Sequence, residues 1–234
     1  MLSPFFMYLF IGTCFVFYPI NSYDTSEKQI IANQYVRLIH STGCIYSLLP
    51  ILYHNPPTII DVNHDPIPNE VSRVFDRTIS FFLWDCVALL ISNETGKSLF
   101  IAHHLLSVAN IGVSRYFGFN WYLMCIALFL GEITNPLTQV SEFYEITNVH
   151  NIAFEKVYFY SMIVSRGFLI PLIIISYLHN IHYHYVMIRT MIYLYQLNLL
   201  FNLVSMNLIT IGSVTWLHKK YLVLYKNNND KKMS

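Results

Sequence analysis

Seven stretches of the chain, 2–20, 30–53, 76–92, 98–117, 121–140, 157–178 and 191–217, are almost wholly apolar. Most approach the roughly 20 residues that an α-helix needs to cross the hydrocarbon of a bilayer. In that medium the backbone must satisfy its own N–H and C=O groups, which leaves helices or a closed barrel. Long continuous apolar runs, rather than alternating ones, select helices. Hydrophobic residues make up 55% of the chain and charged residues only 12%, against roughly 25% charged in an average soluble domain. Mean hydropathy is +0.44. A length of 234 residues holds six or seven spans and little else. The expected fold is an all-α membrane bundle. A net charge of +1 gives no footprint for nucleic acid.

Three parts are expected: 1–29, a first span and short loop; 30–217, a membrane domain; and 218–234, a basic cytosolic tail. The first run lacks a basic leader and a small-residue cleavage pattern, so a retained span is favoured over a signal peptide. The connection 54–75 holds Pro56, Pro57, Pro66 and Pro68 with Asp61, Asp65 and Glu70, and reads as a loop. Lys219, Lys220, Lys226, Lys231 and Lys232 place the tail in the cytosol. Seven spans then put the N-terminus and the His179/His182/His184 turn in the lumen and the loop 93–97 in the cytosol. That loop carries the sequon Asn93-Glu94-Thr95, and glycosylation there inverts the topology. Lys231-Lys232-Met233-Ser234 looks like a dilysine retrieval signal, which implies a multi-pass protein of the endoplasmic reticulum. The four cysteines, Cys14, Cys44, Cys86 and Cys125, lack metal-ligand spacing and read as free apolar thiols.

Ionisable groups inside spans are costly and are functional candidates by default. His103 and His104 are adjacent within the fourth run, Asp85 lies in the third and Glu132 in the fifth. Polar residues also fall in stripes. His103, Ser107, Asn110 and Ser114 are spaced 4, 3 and 4, and Glu132, Asn135, Gln139 and Glu142 are spaced 3, 4 and 3. Both spacings put the set on one helical face. Thr78, Asp85 and Ser92 recur every seven; Asn198, Asn202 and Ser205 mark the last span; His40 and Ser41 lie mid-run in the second, one turn above Arg37. A single stripe can be helix glue, at roughly 0.6 kcal/mol per hydrogen bond. Stripes on five of seven helices, with acids and imidazoles among them, favour convergence on a polar cavity. Pro136 after Asn135 and Pro171 after Arg166 would kink their helices and open space there. Arg166 is expected near an interface, where it can snorkel.

An acid hydrogen-bonded to an imidazole fixes its tautomer and raises its basicity. Asp85 or Glu132 with His103 or His104 is thus a base and its orienter, suited to removing a proton from an alcohol or amine. Adjacent histidines on one helix diverge, so a shared metal ion is disfavoured, and no cofactor is expected. The cavity lining is expected to include His40, Ser107, Asn110, Asn135, Gln139, Arg166, Asn198 and Asn202.

These residues, taken in order, resemble the TLC-domain family of integral membrane proteins, which includes the ceramide synthases. The matching pieces are His40-Ser41, Phe81-Phe82-Leu83-Trp84-Asp85, His103-His104-Leu105-Leu106, Glu132-Ile133-Thr134-Asn135-Pro136, and Arg166 with Pro171. The resemblance runs from about residue 34 to 217. Ceramide synthases follow the paired histidines with a His-Asp and a further Asp; here Gly131-Glu132 and Asn135-Pro136 stand instead. The chain therefore looks like the non-synthase branch, linked to membrane lipid composition, sensing or trafficking. The resemblance implies membrane lipids as partners and leaves a homo-oligomer open. It also implies that, if the chain is an enzyme, the reaction is acyl transfer from acyl-CoA to a lipid amine or hydroxyl, with His103 or His104 as base or acyl acceptor. A non-catalytic lipid sensor is the alternative; a proton-coupled transporter, using the carboxylates as a relay, is a further one.

Overall fold

The computed structural model describes residues 25–54, 66–91, 97–118, 121–147, 149 and 151–172, with single positions from 175 to 222. The first apolar run, most of the proline-rich loop, the sequon, the His179–His184 turn, Asn198, Asn202 and the lysine tail lie outside the described residues. All regular structure among the described residues is helical.

Six α-helices follow in order: α1 Thr25–His54, α2 Asn69–Ile91, α3 Lys97–Phe117, α4 Trp121–Glu132, α5 Asn135–Ile146 and α6 Ile152–Met162. A π-helical segment, Ile163–Leu169, continues α6. α1 and α2 begin several residues before their apolar runs. Hydropathy marks only the part of a helix suited to hydrocarbon, while backbone hydrogen bonding carries it further into polar surroundings. Glu70, in the first turn of α2, suits the positive end of the helix dipole. Gly118 closes α3 with φ of 75°, and its N–H reaches back to the Ser114 carbonyl at 3.0 Å. Asn151 caps α6, its side chain accepting from the Phe154 N–H at 3.1 Å.

The two expected proline distortions take different forms. Ahead of Pro136 the helix is interrupted for two residues without leaving its course: Ile133 and Thr134 form a turn, the Ile133 N–H still bonds the Phe129 carbonyl at 2.9 Å, and Pro136 falls in the first turn of α5. Its missing N–H falls where an α-helical N–H needs no partner. Ahead of Pro171 the helix widens instead. Proline offers no N–H to the carbonyl four residues back, and the π-helical turns immediately precede it.

α1 is the hub and packs against α2, α4 and α5; α2 and α3 form the most extensive pair; α4 meets the π-helical segment. The core includes Val36, Leu48, Phe75, Phe81, Phe82, Trp84, Met124 and Cys125. Buried with it are Asp85, Glu132, Arg166, His40, His104, Asn110 and Thr78. Large apolar side chains face outward, among them Leu90 (63% exposed), Ile91 (68%) and Phe168 (63%). A soluble domain almost never buries so many ionisable groups beside its apolar core. Among the described residues, the stretch 121–146 is long and apolar enough to cross a membrane. Cys44, Cys86 and Cys125 are free thiols and buried, as expected.

Candidate functional site: two charged clusters joined by a phenylalanine pair

The first cluster centres on Asp85 of α2. Arg37 Nε on α1 donates to Asp85 Oδ1 at 2.9 Å. On the other carboxylate oxygen, His104 Nδ1 of α3 approaches Asp85 Oδ2 at 3.3 Å. Three helices thus meet on one carboxylate. Asp85 and His104 are almost fully enclosed, while His103 is half-buried with its ring centroid 5.6 Å from that of His104.

The second cluster sits at the break between α4 and α5. Asn135 Nδ2 donates to Glu132 Oε2 at 2.9 Å. Arg166, from the π-helical segment, donates through Nη2 to Asn135 Oδ1 at 2.7 Å and to the Gly131 carbonyl at 3.0 Å. The widened turns carry the guanidinium across to the place where the α4 backbone ends. Arg166 is therefore a buried clamp, not a snorkelling interfacial residue; at 8% exposure it has no route to a headgroup layer. On the opposite side His40 Nε2 of α1 lies 3.9 Å from Glu132 Oε1.

Phe81 and Phe82, consecutive on α2, connect the clusters. Phe81 stacks on the His40 ring at 3.7 Å with planes 7° apart, and Phe82 stacks on the His104 ring at 4.7 Å and 15°. Their own centroids are 5.7 Å apart. Each imidazole therefore has a carboxylate near one edge and an aromatic face stacked on its plane, and the stacking favours one ring orientation.

Of the predicted site residues, Asp85, His104, Glu132, His40, Asn135 and Arg166 are brought together in these two clusters. On α3 the buried face is His104, Ser107, Asn110, Ile111 and Ser114. His104, not His103, therefore continues the stripe inward, and His103 stands at its edge. Gln139 is buried one turn beyond Asn135 on α5. These polar groups are enclosed in two clusters on either side of the phenylalanine pair. Among the described residues no three His, Cys, Asp or Glu side chains are grouped as metal ligands.

Arg37 was not legible as a partner of Asp85. The acids were matched to imidazoles, and an arginine near the start of a span reads as interfacial. Its signal was available: a cation one turn from His40, across from an acid at similar depth. Phe81 and Phe82 were legible only as part of the motif ending in Asp85; nothing in the sequence marked these two of 17 phenylalanines as stacking on the imidazoles.

A family model for the TLC domain matches residues 30–215. This chain belongs to the TLC-domain family. It is accordingly a membrane protein of lipid-related function. The match contains every residue of both clusters and ends close to where the resemblance in sequence does. No curated protein matches this TLC-domain chain.

Proposed function

We propose that this TLC-domain protein is a multi-pass protein of the endoplasmic reticulum, crossing the membrane six or seven times, that binds a lipid or acyl chain and modifies it by acyl transfer from acyl-CoA. The multi-pass reading is supported by ionisable groups enclosed in the core while Leu90, Ile91 and Phe168 face outward.

The observation that carries the chemistry is the Arg37–Asp85–His104 row. Asp85 is held by Arg37, and the Nδ1 edge of His104 lies 3.3 Å from its free oxygen, close enough for a small tilt of the ring to make the hydrogen bond. Nε2 is left as the basic atom, in the manner of any carboxylate-oriented imidazole. In the proposed step Nε2 takes the proton from a lipid hydroxyl or amine. The freed oxygen or nitrogen bonds to the thioester carbonyl carbon, the C–S bond breaks, and the leaving thiolate receives the proton from the imidazolium. His103, half-buried at the rim, faces the approach of the acyl group. Positioned general-base catalysis of this kind contributes typically 10²–10⁴-fold.

The test is lipidomics of cells expressing the wild-type chain beside the His103→Ala/His104→Ala variant, with folding followed by size-exclusion chromatography. Loss of a lipid product from a folded variant supports acyl transfer. An unchanged lipid profile supports the second reading, a non-catalytic lipid sensor. That reading has its own observation: Glu132, Asn135 and Arg166 are linked in a chain of hydrogen bonds, as in a structural brace.

A further inference from the structure

Arg77 has a place in the bundle that neither cluster uses. It lies on α2, four residues before Phe81 and so one turn away on the same face. Its Nη2 donates to the Gly43 carbonyl at 3.0 Å and to Ser47 Oγ at 2.8 Å, both on α1. Gly43 is likewise one turn beyond His40. The guanidinium therefore bridges α1 and α2 one turn, about 5 Å, from the His40–Phe81 stack.

The bridge leaves most of its donors unused. The buried Arg77 Nε has no hydrogen-bond partner among the described residues. Among the described residues no carboxylate lies within ion-pair distance of Arg77. Arg37 meets Asp85, and Arg166 meets Asn135 beside Glu132. Asp76, next to Arg77 in sequence, points away and pairs with Arg115 at 3.1 Å on the exposed side. That exposed ion pair adjoins Arg77 where the apolar run of α2 begins. A Cβ built on Gly43 would rest in ordinary contact with Arg77 Nη1 at 3.8 Å, so the guanidinium lies directly over the α1 backbone there.

An arginine held by neutral acceptors, with its remaining donors aimed at no anion, is suited to a phosphate, whose oxygens match the guanidinium fork. We infer that Arg77, seated against Gly43 and Ser47, binds the phosphate of a lipid headgroup or of an acyl-CoA and so sets the substrate against the neighbouring His40 and Phe81. The inference deepens the lipid-handling reading and rests on it.

The experiment uses the full chain in detergent micelles and native mass spectrometry. The probes are phosphatidic acid, diacylglycerol with the same acyl chains, coenzyme A and inorganic phosphate. Phosphatidic acid is expected to be retained about ten- to hundredfold better than diacylglycerol, the range of one charged hydrogen-bonded contact. Arg77→Gln erases that preference and Arg77→Lys keeps part of it. Arg77-dependent binding of coenzyme A that phosphatidic acid does not displace assigns the phosphate to the thioester; displacement assigns it to a lipid. Equal retention of both lipids with no phosphate or coenzyme A bound overturns the inference, as does undiminished phosphatidic acid binding by Arg77→Gln. If Arg77→Gln does not fold, the wild-type preference and Arg77→Lys decide. Failure to retain any lipid would sink the lipid-handling reading as well, whereas retention without headgroup preference sinks this inference alone.

Discussion

The two charged clusters use the same vocabulary, an arginine, a carboxylate and an imidazole, to different ends. Around Asp85 the three groups come from α1, α2 and α3 and converge on one carboxylate, with a second imidazole at the rim. Around Glu132 the arginine never touches the acid. It reaches Asn135 and the Gly131 carbonyl, so its charge is spent closing a broken helix. The first arrangement presents an imidazole edge to a carboxylate, and the second ties its guanidinium through Nη2 to the helix interruption, with Arg166 Nε unpartnered among the described residues. A buried ionisable residue is thus a marker of function only after its partners are known; a brace and a reaction centre cost the membrane the same.

Four substitutions test that contrast, and the largest effect is expected in the first cluster. His104→Gln should lower lipid product formation by about 10²–10⁴-fold while the protein stays folded. Wild-type product levels would leave both clusters as braces. In the second cluster Arg166→Met orphans two acceptors, Asn135 Oδ1 and the Gly131 carbonyl, at about 1–3 kcal/mol each. A clear drop in melting temperature in detergent is the expected result, and an unchanged one would remove the clamp from the account. Phe81→Leu loses the stack on His40, worth about 0.5–1.5 kcal/mol beyond area. It should reduce stability modestly, and product formation less than His104→Gln does. Glu132→Gln keeps an acceptor for Asn135 and should have the smallest effect, below about 1 kcal/mol in melting experiments. A larger loss of product than of stability would move Glu132 from brace to reaction centre.

Much of this was readable in the chain because hydrocarbon punishes charge. Asp85, His104 and Glu132 stood out against apolar neighbours, and the helical spacing of Ser107, Asn110 and Ser114 placed them on one face. Pro136 announced the α4–α5 break, since no arrangement gives its ring an N–H. The π-helical segment was not readable: 3.6-residue spacing cannot report a local change of pitch, so Arg166 looked interfacial. Nor were the cross-helix pairings. Which acid meets which cation depends on how α1 lies against α2 and α4, information absent from any one helix. The choice between His103 and His104 for the inward position likewise turned on a rotation of α3 by about 100°.

The π-helical turns at 163–169 hold more residues per turn than the helix on either side. Removing one residue there would tighten the coil to ordinary pitch and swing everything before it relative to everything after it. Arg166 would then lose its line to Gly131. That short stretch therefore acts as a phase adjuster for its helix, and its length, more than its side chains other than Arg166, is what the brace requires.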